Sequence, residues 1–236
     1  KVLFTVEDKV LTETAKLLGY HAALTLDTIY RDALIAGAGS YYAGAVANRA
    51  AVGAVITTTD LDKIKRQLMN ANADFYTNPI KASTGVGTQP IRASWYVIIH
   101  PDVAYTVEGL TGFKHVSTYP DPSVAHEAEI GSYGPFRFLV STNAKVYAGS
   151  ATVGSGTTTG MKYTGSNCDV YISLIIAPDS YGIVPLSGKS IENIIKPLGA
   201  GDDPLNQRAT SGWKAFTAAK VLNSTWIIAY ETTAAA

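Results

Sequence analysis

A few short stretches carry residue types at spacings that could do chemistry. His100-Pro101-Asp102 sets an imidazole two residues from a carboxylate, the kind of pair a general base needs. His126-Glu127-Ala128-Glu129 places three metal-type side chains within four residues. It lacks the His pair at i and i+4 that would seat zinc on one face of a helix. Gly85-Val86-Gly87 and Gly154-Ser155-Gly156 are glycine-rich, but neither has the Gly-x-x-x-x-Gly-Lys-Ser/Thr spacing that cradles a phosphate beside a lysine. Asp202-Asp203 is a bare pair of acids, thin ground for a cation site. Cys168 is the single cysteine and opens an apolar run, where a thiol behaves as a small hydrophobe. No Gly-x-Ser-x-Gly elbow stands in a strand–turn–helix setting.

The structural reading of each stretch is the stronger one. His100 fits as a cap, with Pro101 at the first helical position and Asp102 in the first turn. Residues 126–129 read as a solvated polar segment. Asn223-Ser224-Thr225 matches a glycosylation acceptor but reads as a turn. The expectation is no catalytic residue, no metal site and no cofactor, and hence no enzyme.

The elements that would carry these residues are uneven in length. Leu11, Ala15, Leu18, Ala22, Ile29 and Ala33 recur at helical spacing, with Leu17, Ala23 and Leu24 broadening the stripe. A helix over residues 6–36 is expected, opened by Thr5-Val6-Glu7-Asp8 and stopped by Gly37. Its interior Gly19 points to a bend or a close approach. Residues 37–58 read as a strand or extended crossover. A second helix is expected with Thr59 as its cap and Leu61, Ile64, Leu68 and Ala71 on its inner side. Trp95, Val97 and Ile99 alternate as in a half-buried strand. Two strand-like runs follow between 123 and 149, then a low-complexity loop, an apolar strand from Cys168 and a strand near Ile191. Two closing strands are broken at Asn223-Ser224. Helices first and many strands later indicate an α+β fold.

Composition bounds the partners. Hydrophobic residues are 47% of the 236, enough for a sizeable core. Charged residues are 16%, against about 25% in an average soluble domain, and net charge is zero. A surface so poor in charge is expected to be covered by other subunits. Tight nucleic-acid binding needs clustered Lys and Arg. The densest basic cluster, Lys63-Ile64-Lys65-Arg66, follows two acids and reads as a solvated helix face. No apolar run approaches the roughly 20 residues of a membrane span. A lone cysteine allows no internal disulfide and suits a reducing compartment. Lys1-Val2-Leu3-Phe4 reads as the interior of a longer chain.

Four blocks then stand out in order: "IRASWYVIIHPDVAY" (91–105), "EIGSYGPFRFLVSTNAKVYA" (129–148), "YGIVPL" (181–186) and "IKPLGAGDDPLNQRATSGWKAFTAAKVLNSTWI" (195–227). Together they resemble major capsid proteins of tailed bacteriophages, in the podovirus branch related to phage N-four. The resemblance implies a Hong Kong 97-type subunit: a peripheral domain with a long spine helix and β-sheet, and an axial domain near the capsomer centre. It implies residues 1–54 as peripheral domain with spine helix, 55–190 as mostly axial domain, and 191–236 as the return to the peripheral sheet. The N-terminal arm and extended loop, which precede the spine helix in the family, are implied to be largely missing.

What the resemblance implies for function is self-assembly into an icosahedral capsid around double-stranded DNA, assembled in the bacterial cytoplasm. The implied partners are the chain itself in pentamers and hexamers, scaffolding, portal and decoration proteins, and DNA held non-specifically, with no membrane. Arg208, Arg137 and Glu129 are the candidate intersubunit contacts. Asn206 and Gln207 are candidates to tie the turn after Asp203-Pro204, with Trp213 and Phe216 packing onto the sheet against the long helix. Two other classes stay open: a cellular nanocompartment shell of the same architecture, and a carbohydrate-binding β-rich module using Tyr41, Tyr42 or Tyr119. An enzyme relying on His100 ranks third.

Overall fold

Among the described residues a long helix comes first and a sheet strand last. The computed structural model describes residues 10–76, 93–119, 126–152, 163–164, 167–185, 191–196, 205 and 209–235. It runs α1 (Val10–Gly37), β1 (Gly39–Tyr42), two 3-10 turns, α2 (Thr58–Asn70), β2 (Trp95–Ile99), α3 (Pro101–Glu108), β3 (Lys114–His115) and a third 3-10 turn. Ten strands follow: β4 (Glu129–Tyr133), β5 (Phe136–Val140), β6 (Val146–Ala151), β7 (Tyr163–Thr164), β8 (Asn167–Ile176), β9 (Tyr181–Pro185), β10 (Glu192–Lys196), β11 (Thr210–Lys214), β12 (Thr217–Val221) and β13 (Ile227–Thr232). These residues form two compact units, one of 34–182 with 221–236 and one of 1–33 with 183–220.

The larger unit is built on a mixed nine-stranded sheet, ordered β1-β13-β8-β2-β5-β4-β3, with β6 and β7 both on β8. β8 is buried along nearly its whole length. Covered on both faces, it reads as an almost continuous apolar run instead of an alternating one. β2 alternates as the sequence predicts, with Trp95, Val97 and Ile99 inward. Those three pack with Phe136, Phe138, Ile228 and Tyr230, under Leu61, Ile64 and Leu68 of α2 and Val103 and Val107 of α3. The opposite face carries Ile172, Leu174, Ile176, Ile227 and Ala229, packed with Leu34.

Capping sets the two short helices. The α2 cap is Thr57, not Thr59: Thr57 is extended (φ −128°, ψ 151°) and its hydroxyl accepts from the Asp60 N–H. Among three consecutive threonines the helix starts at the one that turns Leu61, Ile64 and Leu68 together into the core. His100 caps α3 as expected, its Nδ1 accepting from the Asp102 N–H at 3.2 Å, with Pro101 in the first turn. Asn223 forms the expected turn, accepting from both the N–H and hydroxyl of Thr225.

The smaller unit holds α1 up to residue 33 and two ribbons, β10 with β11 and β12 with β9. α1 is 28 residues long and continuous, roughly 42 Å at 1.5 Å per residue. Gly19 lies in open space, so it marks neither a close approach nor a break. Within this unit Trp213 reaches the helix, its indole N–H donating to His21 Nδ1 at 3.4 Å. Phe216 does not pack inward as expected; it is exposed, on the short link between β11 and β12. The C-terminal part forms three strands where two were expected, and β13 belongs to the nine-stranded sheet. The helix opening at 5–9 and the glycine-rich stretches at 85–87 and 154–156 lie outside the described residues, as do Asp202, Asp203, Asn206, Gln207 and Arg208.

Candidate functional site

Arg137 and Glu129 are brought together, and to each other. Arg137 Nε donates to Glu129 Oε1 at 2.9 Å and its Nη2 to Oε2, with both side chains enclosed. The local fold makes this meeting possible. β4 and β5 pair as Ser132↔Arg137 and Gly131↔Phe138, then slip to Glu129↔Leu139, leaving Ile130 as a one-residue bulge. Directly opposed residues share a face, so the slip turns Glu129 onto the side that carries Arg137 and Leu139. Tyr119 OH and the His126 N–H complete the carboxylate's partners at 3.0 and 3.1 Å. Burial, followed by the Glu129 charge, pushes the Tyr119 phenol up to about 12, while Ser132 works against it. Burial disfavours the Arg137 charge, but Glu129 more than offsets this and holds its pKa up.

Two more charged groups are handled in the same way. Arg49, on a 3-10 turn, grips Glu231 of β13 with two bonds of 2.6 and 2.7 Å, its guanidinium 3.6 Å from the centre of the Tyr147 ring. Asp60 is buried and accepts from Tyr41 OH, Tyr230 OH and the Gly44 N–H at 3.2, 3.2 and 3.3 Å. Tyr41 and Tyr230 are register partners on β1 and β13. Burial alone would raise the Asp60 pKa; the Gly44 N–H, Thr57 and the two phenols together lower it.

These arrangements fasten backbone segments. None leaves a nucleophile beside a free base. His100 is engaged as a cap while Asp102 accepts from Tyr171 OH at 2.9 Å. His126 Nε2 lies 2.6 Å from Tyr96 OH. His115 Nδ1 accepts from the Ser117 N–H on a 3-10 turn. Cys168 is buried. Among the described residues no group of three or more His, Cys, Asp or Glu is arranged to hold a metal ion, and no helix is long and apolar enough to cross a membrane.

The distinctive surface belongs to the smaller unit. Leu17, Tyr20 and Leu24 are 68%, 71% and 58% exposed. Their i, i+3, i+7 spacing puts them on one face of α1, opposite buried Ala22 and Leu26. Ile183, Val184, Ile191, Ile194, Ile195 and Phe216 of the same unit are exposed as well. An isolated exposed leucine is ordinary, but contiguous apolar surface marks a place that something covers. The sequence carried this signal in Leu17 and Leu24, which broaden the stripe too far for one buried face. Of the sequence-derived contact residues, Arg137 and Glu129 are enclosed; Trp213 is half-buried on α1; Phe216 is exposed.

The family described as phage capsid protein matches residues 4–229. No curated protein matches the chain. Among solved structures, the capsid of Ralstonia phage GP4 superposes with TM-score 0.58 at 11% identity, covering 96% of this chain and 68% of that one. The capsid structure of cyanophage P-SCSP1u gives TM-score 0.49 at 13% identity, with 94% and 65% covered. Mycobacterium phage Che8 gives 0.47 at 11% identity, with 90% and 60% covered. The chain thus spans about two thirds or less of the length of these structures. The GP4 likeness is one of fold: an α+β arrangement around a mixed sheet, as in Hong Kong 97-type capsid proteins.

Proposed function

This chain belongs to the phage capsid protein family, and we propose that it is the subunit that closes into an icosahedral shell around double-stranded DNA. As a capsid-family protein it is structural, not catalytic. The observation that carries the shell reading is the apolar face of α1, where Leu17, Tyr20 and Leu24 stand out in solvent while the larger unit buries its own core. A chain with zero net charge and so few charged residues has little to keep such faces apart. Many weak copies of one contact then hold a shell by valency.

In this reading α1 is the spine helix. Residues 1–54 are the peripheral domain with the spine helix, 55–190 mostly the axial domain, and 191–236 the return to the peripheral sheet. Pentamers and hexamers of the chain are its main assemblies. Scaffolding, portal and decoration proteins are further partners, DNA is confined without sequence readout, and assembly takes place in the bacterial cytoplasm before the chain ends in the virion. The N-four-like branch is the finer assignment, resting on the blocks at 91–105, 129–148, 181–186 and 195–227. Arg208 remains the proposed polar contact between subunits.

Electron microscopy of the expressed chain, at low and high protein concentration, tests the reading. Closed shells or curved sheets are expected. Discrete monomers under all conditions would overturn it.

A further inference from the structure

β10 reads Glu-Asn-Ile-Ile-Lys, and this strand is complementary to itself. Laid antiparallel on a second copy with Ile194 on the two-fold, Glu192 falls opposite Lys196 of the partner subunit, and Lys196 opposite Glu192 of the partner subunit. Ile194 meets its own counterpart. The neighbouring strands lack this property. β11, Thr-Ser-Gly-Trp-Lys, would set Thr210 against Lys214. β12, Thr-Ala-Ala-Lys-Val, would leave a lysine opposite an alanine.

The structure presents this strand for pairing. Among the described residues β10 is bonded to β11 alone, in a two-stranded ribbon. Such a ribbon is marginal in water until a third strand or a cover is added. Ile194 and Ile195, on opposite faces, are 38% and 47% exposed. Ile194 lies opposite Gly212, which offers no side chain and has open space above it. On the same face Glu192 Oε2 bonds Lys214 Nζ at 3.1 Å. A lysine arriving from the far edge would place the carboxylate between two ammonium groups. Edge strands with unspent N–H and C=O groups pair readily with another chain, and a self-complementary edge makes a closed two-fold contact.

We propose that β10 adds edge to edge to β10 of a second copy, joining two subunits through a continuous four-stranded ribbon, β11-β10 and β10-β11 of the partner subunit. The proposal names one contact within the self-assembly put forward above, and rests on that reading.

Cysteine cross-linking and charge exchange on the 236-residue chain test it. Residues directly opposed across an antiparallel pair have Cα atoms about 4.5–5.5 Å apart, within disulfide reach. Ile194→Cys should therefore give a covalent dimer on mild oxidation. Asn193→Cys, whose counterpart lies beyond that reach, should not. Glu192→Lys alone or Lys196→Glu alone sets like charges opposite each other at both symmetric positions and should weaken association roughly tenfold. The double exchange Glu192→Lys/Lys196→Glu should restore it. Unchanged circular dichroism and melting temperature confirm that each variant folds. Shells that form normally, with no covalent dimer from Ile194→Cys and no effect of single charge reversal, overturn the pairing and leave the capsid reading intact. A chain that neither cross-links nor assembles overturns both.

Discussion

Glu129 and Arg137 face each other across two adjacent strands only because Ile130 is squeezed out of the ladder between them. Without that extra residue the Glu129 side chain would point to the other side of the sheet. Removing one partner strands a buried charge, which costs about 3–5 kcal/mol. Arg137→Met and Glu129→Leu should each lower stability by that order in urea unfolding. The double variant Glu129→Leu/Arg137→Met should lose less than the sum, because no charge is left unpaired. Additive losses would show that the two side chains act independently.

Gly131 is the next residue along the same strand and tolerates no side chain. A Cβ there would run into the Lys114 carbonyl and the Phe113 ring. The carbonyl belongs to β3, which is held in register by His115↔Gly131 and cannot retreat without breaking the edge of the sheet. Gly131→Ala should cost about 2–3 kcal/mol. Gly134→Asn, at a turn glycine with φ 56° and open surroundings, should cost well under half of that, since Asn accepts a left-handed backbone. Equal losses in thermal melts would remove the steric explanation.

Asp60 gives the fold an acid limit. Its folded pKa is lowered, so the ionised group adds stability above the unfolded value near 4. That contribution is lost as pH falls through the folded value. Asp60→Asn should cost roughly 2 kcal/mol at pH 7, and the gap from wild type should narrow as the pH drops below 4. Tyr230 works at the other end. Burial and the Asp60 charge raise its pKa, so its contribution is intact below about pH 10 and is lost as pH rises toward the folded value. Tyr230→Phe should flatten the alkaline limb of a stability-versus-pH curve. Parallel curves for wild type and variants would refute the assignment.

The apolar face of α1 should matter for association and hardly at all for folding. Leu17→Gln, Tyr20→Gln and Leu24→Gln together remove three side chains that are mostly in water. Surface changes of this kind usually stay within about 0.5 kcal/mol each. The triple variant should melt near wild type yet sediment as a smaller species and yield no shells. A large drop in melting temperature would mean that the face is part of a core after all.

The long helix, the β2 alternation, the buried Cys168 strand and the His100 cap were all legible because each is set by near neighbours in sequence. Local chemistry decides them: a 3.6-residue period, a two-residue period, or a histidine before Pro-Asp. The buried pairs were not legible. Arg49 and Glu231 are 182 residues apart, and nothing local to either announces the other. Arg137 and Glu129 are close in sequence and were singled out, but as surface groups. The bulge at Ile130 that turns Glu129 inward depends on how β4 and β5 pair. Thr57 in place of Thr59 shows the same limit, since three adjacent hydroxyls offer equal caps until the core selects one. Phe216 was placed inward through the resemblance to a fold whose sheet lies against the long helix, yet it is exposed.

The position of β13 has a consequence for synthesis. It lies between β1, made long before it, and β8, and its Glu231 receives Arg49. While the polypeptide is still emerging from the ribosome, β1 has no neighbour to join among the described strands and β8 shows a bare flank of isoleucines. The sheet can be completed only after residue 232 has been released. A prematurely terminated product therefore exposes raw strand borders, and limited proteolysis should cut it faster than the finished chain.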